Sequence, residues 1–240
     1  MTSPAAPCEP VVQYALCVPA SDQGPRDVAR RERLDRIRVA ATELLLEKDF
    51  TSITTRDIAR RAGVAEATLF RYIKGKQELL TMVYADHLDA QLSVVEEEDA
   101  RIVARQAGLP PSMDAVLERI FHIYQRRCAF YQASPHNASL YLRQGFDVDP
   151  DVSARPVSQG DRTIRLVVSI LGEGQRAGVL DPAVDAALVA QNLHGTYMHE
   201  IDRTPVRGFE PSTLWDRLRP RLEVQLVPLG RRTSSGTPAP

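Results

Sequence analysis

Between Thr54 and Leu80 the chain sets hydroxyl, guanidinium and ammonium groups at spacings suited to a nucleic-acid backbone. Thr68, Arg71 and Tyr72 fall on the outward side of one short helical stretch, together with Glu66 and Ala67. Hydroxyls and cations of this kind bond phosphate oxygens and set register on a duplex. Lys76 follows Gly75 at the start of a further helix, where free N–H groups and the ammonium jointly favour a phosphate.

The elements that must hold these groups are legible in the same stretch. Thr54, with Asp57 three positions on, forms a capping box that opens one helix. Ile58, Ala59 and Ala62 share its inner face, and Gly63 ends it where a left-handed residue is cheapest. Val64 is expected as the buried pin of the turn, and Leu69 returns the second helix onto the first. A pair of this shape lays its second helix in a DNA major groove while the first crosses the backbone. A plain helical hairpin explains the glycine turn equally well. The flank decides between them: Gly75-Lys76-Gln77-Glu78 opens a third helix with Gly75 as N-cap and Glu78 at the reciprocal position.

Charge distribution agrees. The 240 residues carry a net charge of −1, yet Arg26 to Lys76 holds 13 Lys/Arg against 8 Asp/Glu, while the chain from Gln77 onward is net acidic. All three lysines, Lys48, Lys74 and Lys76, lie in the basic segment. A local excess of positive charge beside such a helix pair is read as phosphate attraction. Cys8, Cys17 and Cys128 form no metal or redox spacing, no metal or cofactor site is expected, and no secretory or membrane segment opens the chain. The expected location is cytoplasmic, with no membrane partner.

Along the chain, residues 1–28 are rich in Pro, Ala and Ser and are expected to be disordered, with Val11 to Val18 as a stray strand. From Val28 to Lys48 the stripe Leu34, Ile37, Ala41, Leu44 and Leu45 marks a helix, and Arg30, Arg31, Arg33, Arg36 and Arg38 occupy its other side. That basic side suits either a DNA backbone or plain solvation. The helix opened by Gly75 is expected to fray near Glu96-Glu97-Glu98-Asp99. Ser112 caps a long helix with Tyr124, Cys128 and Tyr131 on its apolar face, a shorter element spans about 135–146, and Asp147 to Gln159 reads as loop. The next helix stops at Gly178. Asp181-Pro182 reads as the start of another, apolar on two sides: Val184, Leu188, Gln191, Gly195 and Met198 on one, Val189, Leu193, Tyr197 and Ile201 on the other. Either one side suits an internal pocket and the other a second subunit, or a monomeric core buries both. Leu214, Leu218, Leu222 and Leu226 stripe a last helix that Pro220 must kink or split. Without sustained strand alternation, the class is all-α.

Phe50, TTRDIA, AGV, TLFRY and GKQELL, in this order and spacing, resemble the N-terminal DNA-binding domain of TetR/AcrR-type transcriptional regulators. The likeness covers Phe50 to about Leu80, and later only Gly178-Val179-Leu180-Asp181-Pro182 is similar. It implies a helix-turn-helix domain over 29–76, a helical ligand-binding and dimerisation domain over 77–228, and a disordered tail over 229–240. By the same resemblance Thr55 and Thr68 donate to phosphates, Arg56 meets a phosphate or base, Arg71 and Tyr72 reach the groove or its rim, and Lys76 clamps a phosphate. Base reading then falls to Arg56, Glu66, Ala67 and Arg71. Glu66 has two uses open to it: stabilising its helix N-terminus through the dipole, or accepting from cytosine N4. Ala65, Phe70 and Gly75 depart from the family's usual serine, tyrosine and serine, and the missing cap at Ala65 costs about 1 kcal/mol.

The implied partners are double-stranded DNA as a palindromic operator, a second copy of the chain, and a small-molecule effector. Tyr124, Cys128, Tyr131, Gln191, His194 and Tyr197 are the candidate pocket residues, a set that suits an apolar or aromatic ligand. A ligand-released repressor is the leading expectation, with an activator of the same fold as the alternative. A helical enzyme or a protein-interaction module is disfavoured, because no phosphate loop, nucleophile elbow or metal triad is present.

Overall fold

The computed structural model describes residues 25–231. The expectations for the N-terminal extension, for its strand, for Cys8 and Cys17, and for the end of the tail fall outside those residues. Nine helices follow in order among the described residues: α1 (Pro25–Glu47), α2 (Thr55–Ala62), α3 (Glu66–Leu69), α4 (Lys76–Gln106), α5 (Met113–Ala133), α6 (Pro135–Arg143), α7 (Pro150–Arg176), α8 (Ala186–Val206) and α9 (Leu214–Leu226). The class is all-α, and the only extended pairing among them is an isolated bridge between Leu180 and Gly230.

The chain folds into two units. The first takes the residues up to Asp89 and Ala133–Pro156; the second takes Ala90–Gln132 and the chain from Val157 on. In the first unit α1 buries Ile37, Ala40, Ala41, Leu44 and Leu45, the three- and four-residue spacing of one helix face. Ile58, Ala59, Ala62, Leu69 and Ile73 complete that core. Asn137 of α6 is 1% exposed, accepts from the Phe50 N–H at 2.8 Å and donates to the Leu45 carbonyl at 3.3 Å. It satisfies two backbone groups where α1 ends and the chain turns into the next element.

The second unit is built on α5, α7, α8, α9 and the later part of α4. Ile120, Ile123, Tyr124, Val167, Ile170, Leu193, Tyr197 and Ile201 are buried, and α9 contributes Leu214, Leu218, Leu222 and Leu226. A buried ion pair crosses this core: Arg119 donates to both carboxylate oxygens of Asp99, at 2.7 and 2.8 Å, and to Glu173 at 2.5 Å.

Several boundaries differ from expectation, each for a physical reason. α4 does not fray at its acidic run, because each carboxylate there has a cation: Glu96 meets Arg162, Glu97 meets Arg101, Glu98 meets Arg126, and Asp99 meets Arg119. Most of Asp147 to Gln159 is helix rather than loop, since α7 begins at Pro150 with Asp149 accepting from the Asp151 N–H at 2.9 Å. Conversely, Asp181-Pro182 does not open α8. The Asp181 carboxylate closes a turn onto the Ala183 N–H, and Asp185 is the cap, accepting from Ala187 and Leu188. Pro220 lies on the exposed side of a continuous α9, where one lost backbone bond is outweighed by four buried leucines. Residues 25–28 are helical rather than disordered, and Arg231 donates its backbone N–H to Val179.

Asn137→Ala is expected to destabilise the protein by about 2 kcal/mol, because two buried backbone groups lose their partner. The midpoint of urea unfolding, compared with wild type, measures it.

Candidate nucleic-acid interface and interior cluster

The helix-turn-helix is held by caps and by ion pairs. The Asp57 N–H donates to the Thr54 hydroxyl at 3.1 Å, and the Thr54 N–H donates to the Asp57 carboxylate at 3.1 Å. Donation from the Thr54 hydroxyl at 2.7 Å, together with that from its N–H, holds the Asp57 carboxyl below its ordinary value. Gly63 sits at φ +66°, left-handed as the turn requires, and Val64 is half-buried rather than fully buried. Ala65 supplies no side-chain cap to α3. Glu66 instead links the two helices, accepting from the Thr55 hydroxyl at 2.6 Å and lying 3.7 Å from Arg56 Nε. The starts of α2 and α3 are thereby joined.

The predicted contact residues separate into two groups. Ala67 and Arg71 are exposed, Thr68 and Tyr72 are half-exposed, and Leu69 alone of this stretch is fully buried beneath them. Arg56 projects with 85% of its side chain exposed. Thr55, Glu66 and Lys76 are engaged within the protein. Lys76 Nζ donates to the carbonyls of Ile53 at 2.8 Å and Thr51 at 3.2 Å, and stands 4.4 Å from the centre of the Phe50 ring. Its ammonium closes the loop between α1 and α2 instead of standing free at the helix start. Glu78 accepts from the Lys74 N–H, one residue before the expected Gly75 cap.

In the second unit Tyr124, Cys128, Tyr131 and Tyr197 are buried together. The Tyr124 and Tyr197 rings lie 6.0 Å apart, and the His194 and Tyr197 rings 5.9 Å. Gln191 is not among them: it is exposed on the opposite face of α8. Burial pushes the Cys128 thiol up to about 12 and raises both phenols. His194 is lowered to about 3 by burial and by the neighbouring Arg127 cation, so its imidazole is neutral. α7 passes close to it, and a Cβ added at Gly160 would stand 3.1 Å from His194 Nε2.

Sequence reasoning passed over Arg127, which is 1% exposed, with its guanidinium 5.1 Å from the centre of the Tyr197 ring. The signal was available. Arg127 falls three residues after Tyr124 and four before Tyr131, on the same face as the apolar stripe. Among the described residues no three His, Cys, Asp or Glu gather as a metal site, and no helix is long and apolar enough to cross a membrane.

Residues 37–83, the segment that contains α2 and α3, match the family of bacterial regulatory proteins known as the tetR family. That segment carries the helix-turn-helix of the tetR family. Over 64 residues the chain is 39% identical to the uncharacterized HTH-type transcriptional regulator YvkB of Bacillus subtilis, a match covering 27% of this chain and 34% of that one. Over 171 residues it is 23% identical to the fatty acid metabolism regulator protein of the same species, covering 70% and 80%. Among solved structures, the tetR-family repressor FadR of Thermus thermophilus in complex with lauroyl-CoA is similar in fold, with a TM-score of 0.60, 22% identity, and 86% and 98% of the two chains covered. The tetR family and these relatives are transcriptional regulators rather than enzymes.

The depressed His194 makes stability pH-dependent. Its folded value lies below the ordinary value of 6.5, so between pH 6.5 and about 3 the unfolded chain binds the extra proton. The contribution is fully present above pH 6.5 and is lost as pH falls, by up to about 1.4 kcal/mol per pH unit. Urea unfolding of wild type and His194→Asn is expected to diverge in its pH slope below 6.5, with the flatter slope in the variant.

Proposed function

We propose that the protein is a homodimeric repressor that binds a palindromic operator through α2 and α3 and leaves it when a small molecule occupies the second unit. The observation that carries this reading is the capped helix-turn-helix, which turns Ala67, Thr68, Arg71 and Tyr72 outward above a buried Leu69. Arg71, Thr68 and Tyr72 serve the phosphates, and Ala67 and Arg56 approach base edges. Thr55, Glu66 and Lys76 act one step back, by setting the angle at which α3 is presented. A ligand in the second unit is supported by the fold shared with a repressor crystallised with lauroyl-CoA. Effector release follows from differential affinity: the ligand stabilises a dimer whose recognition helices no longer match one turn of DNA.

The second copy docks on the outer face of α8 and α9. Tyr197, Leu193 and Ile201 point into the core, which leaves Leu188, 57% exposed, with Gln191 and Gly195 facing out. Pro220 and the 75%-exposed Val224 of α9 continue this surface. Exposed apolar and small side chains on two adjacent helices fit a symmetric four-helix contact, which is isologous by construction.

Gel shifts on DNA flanking the chain's own gene are expected to give specific binding that is lost when the palindrome is scrambled. Equal affinity for unrelated DNA would sink the regulator reading. Arg71→Ala is expected to weaken binding on all sequences and lower the salt slope by about one, with thermal stability unchanged. Lys76→Ala, in contrast, is expected to lower thermal stability, because two carbonyls lose their donor. For the dimer, the double variant Leu188→Arg, Val224→Arg is expected to sediment as a monomer and to lose operator binding. A variant that still sediments as a dimer would place the interface elsewhere.

A further inference from the structure

The interior of the second unit contains an unbalanced charge. Arg127 is 1% exposed, and its Nε and Nη1 have no hydrogen-bond acceptor. The other buried charges of this unit are matched: Asp99 is paired with Arg119, and Glu200 is bonded by Arg203, Arg217 and Arg221. Neither carboxylate is therefore available to Arg127. Two more polar groups nearby are also without partners, the Tyr124 hydroxyl and His194 Nδ1. All three side chains surround one ring. The Tyr197 ring lies 5.1 Å from the Arg127 guanidinium carbon, 6.0 Å from the Tyr124 ring and 5.9 Å from the His194 ring. Tyr197 leaves the charge unmatched: its hydroxyl donates to the Arg127 backbone carbonyl at 3.3 Å and also bonds the Arg127 side chain, but it is a neutral group.

A buried cation without a counter-charge is costly even after relaxation, and an unmatched group of this kind marks a candidate functional site, to be completed by a ligand, an ion or water. We propose that the effector of this protein is an organic monocarboxylate whose carboxylate meets the Arg127 guanidinium, with the Tyr124 hydroxyl and the His194 imidazole as its further partners. This deepens the effector reading above and rests on it. One positive charge calls for one negative charge, which a carboxylate supplies and a phosphate dianion exceeds. The tyrosine rings around it suit an apolar body. A thioester or amide in the same place offers a carbonyl to the donors but leaves the charge unmatched, and charge-assisted bonds are roughly twice as strong as neutral ones.

The test uses the full chain without DNA. Acetate, octanoate, dodecanoate and benzoate, each beside its primary amide, with lauroyl-CoA as a separate arm, are compared by thermal shift and calorimetry at constant ionic strength. At least one acid is expected to raise the melting temperature and to bind about tenfold or more tighter than its amide, a difference that corresponds to one charge-assisted bond. Arg127→Gln is expected to remove the preference for acid over amide, and Arg127→Lys to retain part of it. The proposal is overturned if acid and amide stabilise equally, if Arg127→Gln keeps the full preference, if only lauroyl-CoA binds, or if no acid in the series binds. Operator gel shifts on the same preparations separate the two readings. Operator binding without carboxylate binding removes only this proposal, whereas carboxylate binding without operator binding removes the regulator reading.

Discussion

The helix that presents Ala67 and Thr68 to solvent is four residues long, too short to close more than a turn of its own hydrogen bonds, so everything that makes it a rigid feature comes from its neighbours. Leu69 pins it from below, fully buried. Glu66 ties its first turn to the Thr55 hydroxyl and to Arg56. Ahead of α2, Lys76 and Asn137 satisfy the backbone of the connecting loop with an ammonium and an amide. Removing Glu66, Lys76 or Asn137 leaves a polar group of the domain without its partner, and removing Leu69 leaves a cavity beneath α3.

That dependence divides the polar residues of the domain between two tasks. A hydroxyl or ammonium already bonded inside the protein must break that bond to bind a phosphate, which lowers its value as a contact. Thr55, Glu66 and Lys76 are committed in this way, while Arg71 and Ala67 are exposed and Thr68 and Tyr72 half-exposed. Part of the positive charge in this segment is therefore committed inside the protein, Lys76 to the loop and Arg61 to Glu43 and Glu47.

The second unit follows the opposite logic. Its buried charges are mostly tied into networks: Arg119 between Asp99 and Glu173, and Glu200 beneath three arginines. Such networks contribute little net stability but are costly to break, so they fix the arrangement of α4, α5, α7, α8 and α9 within this unit. Arg127 stands apart because nothing of opposite charge was built beside it.

The sequence by itself determined what depends on near neighbours along the chain. The Thr54–Asp57 box, the left-handed Gly63, the inward faces of α1 and α2 and the all-α class arise within a few residues, where capping geometry and helical period act. Helix starts farther along show the limit of that logic. Asp149-Pro150 and Asp181-Pro182 carry the same local signal, yet only the first opens a helix, because Asp185 offers the better cap four residues beyond the second. What only the tertiary structure decided involves partners distant in sequence: the carbonyls that engage Lys76 more than twenty residues away, the cations that keep α4 helical through its acidic run, and the exposed side of α8 that carries Gln191 out of the core. Arg127 lies on a stripe visible in the sequence, but its lack of a counter-charge is a property of everything packed around it. Periodicity assigns a side chain to a face; whether its charge is matched there depends on which other segments the fold brings against it.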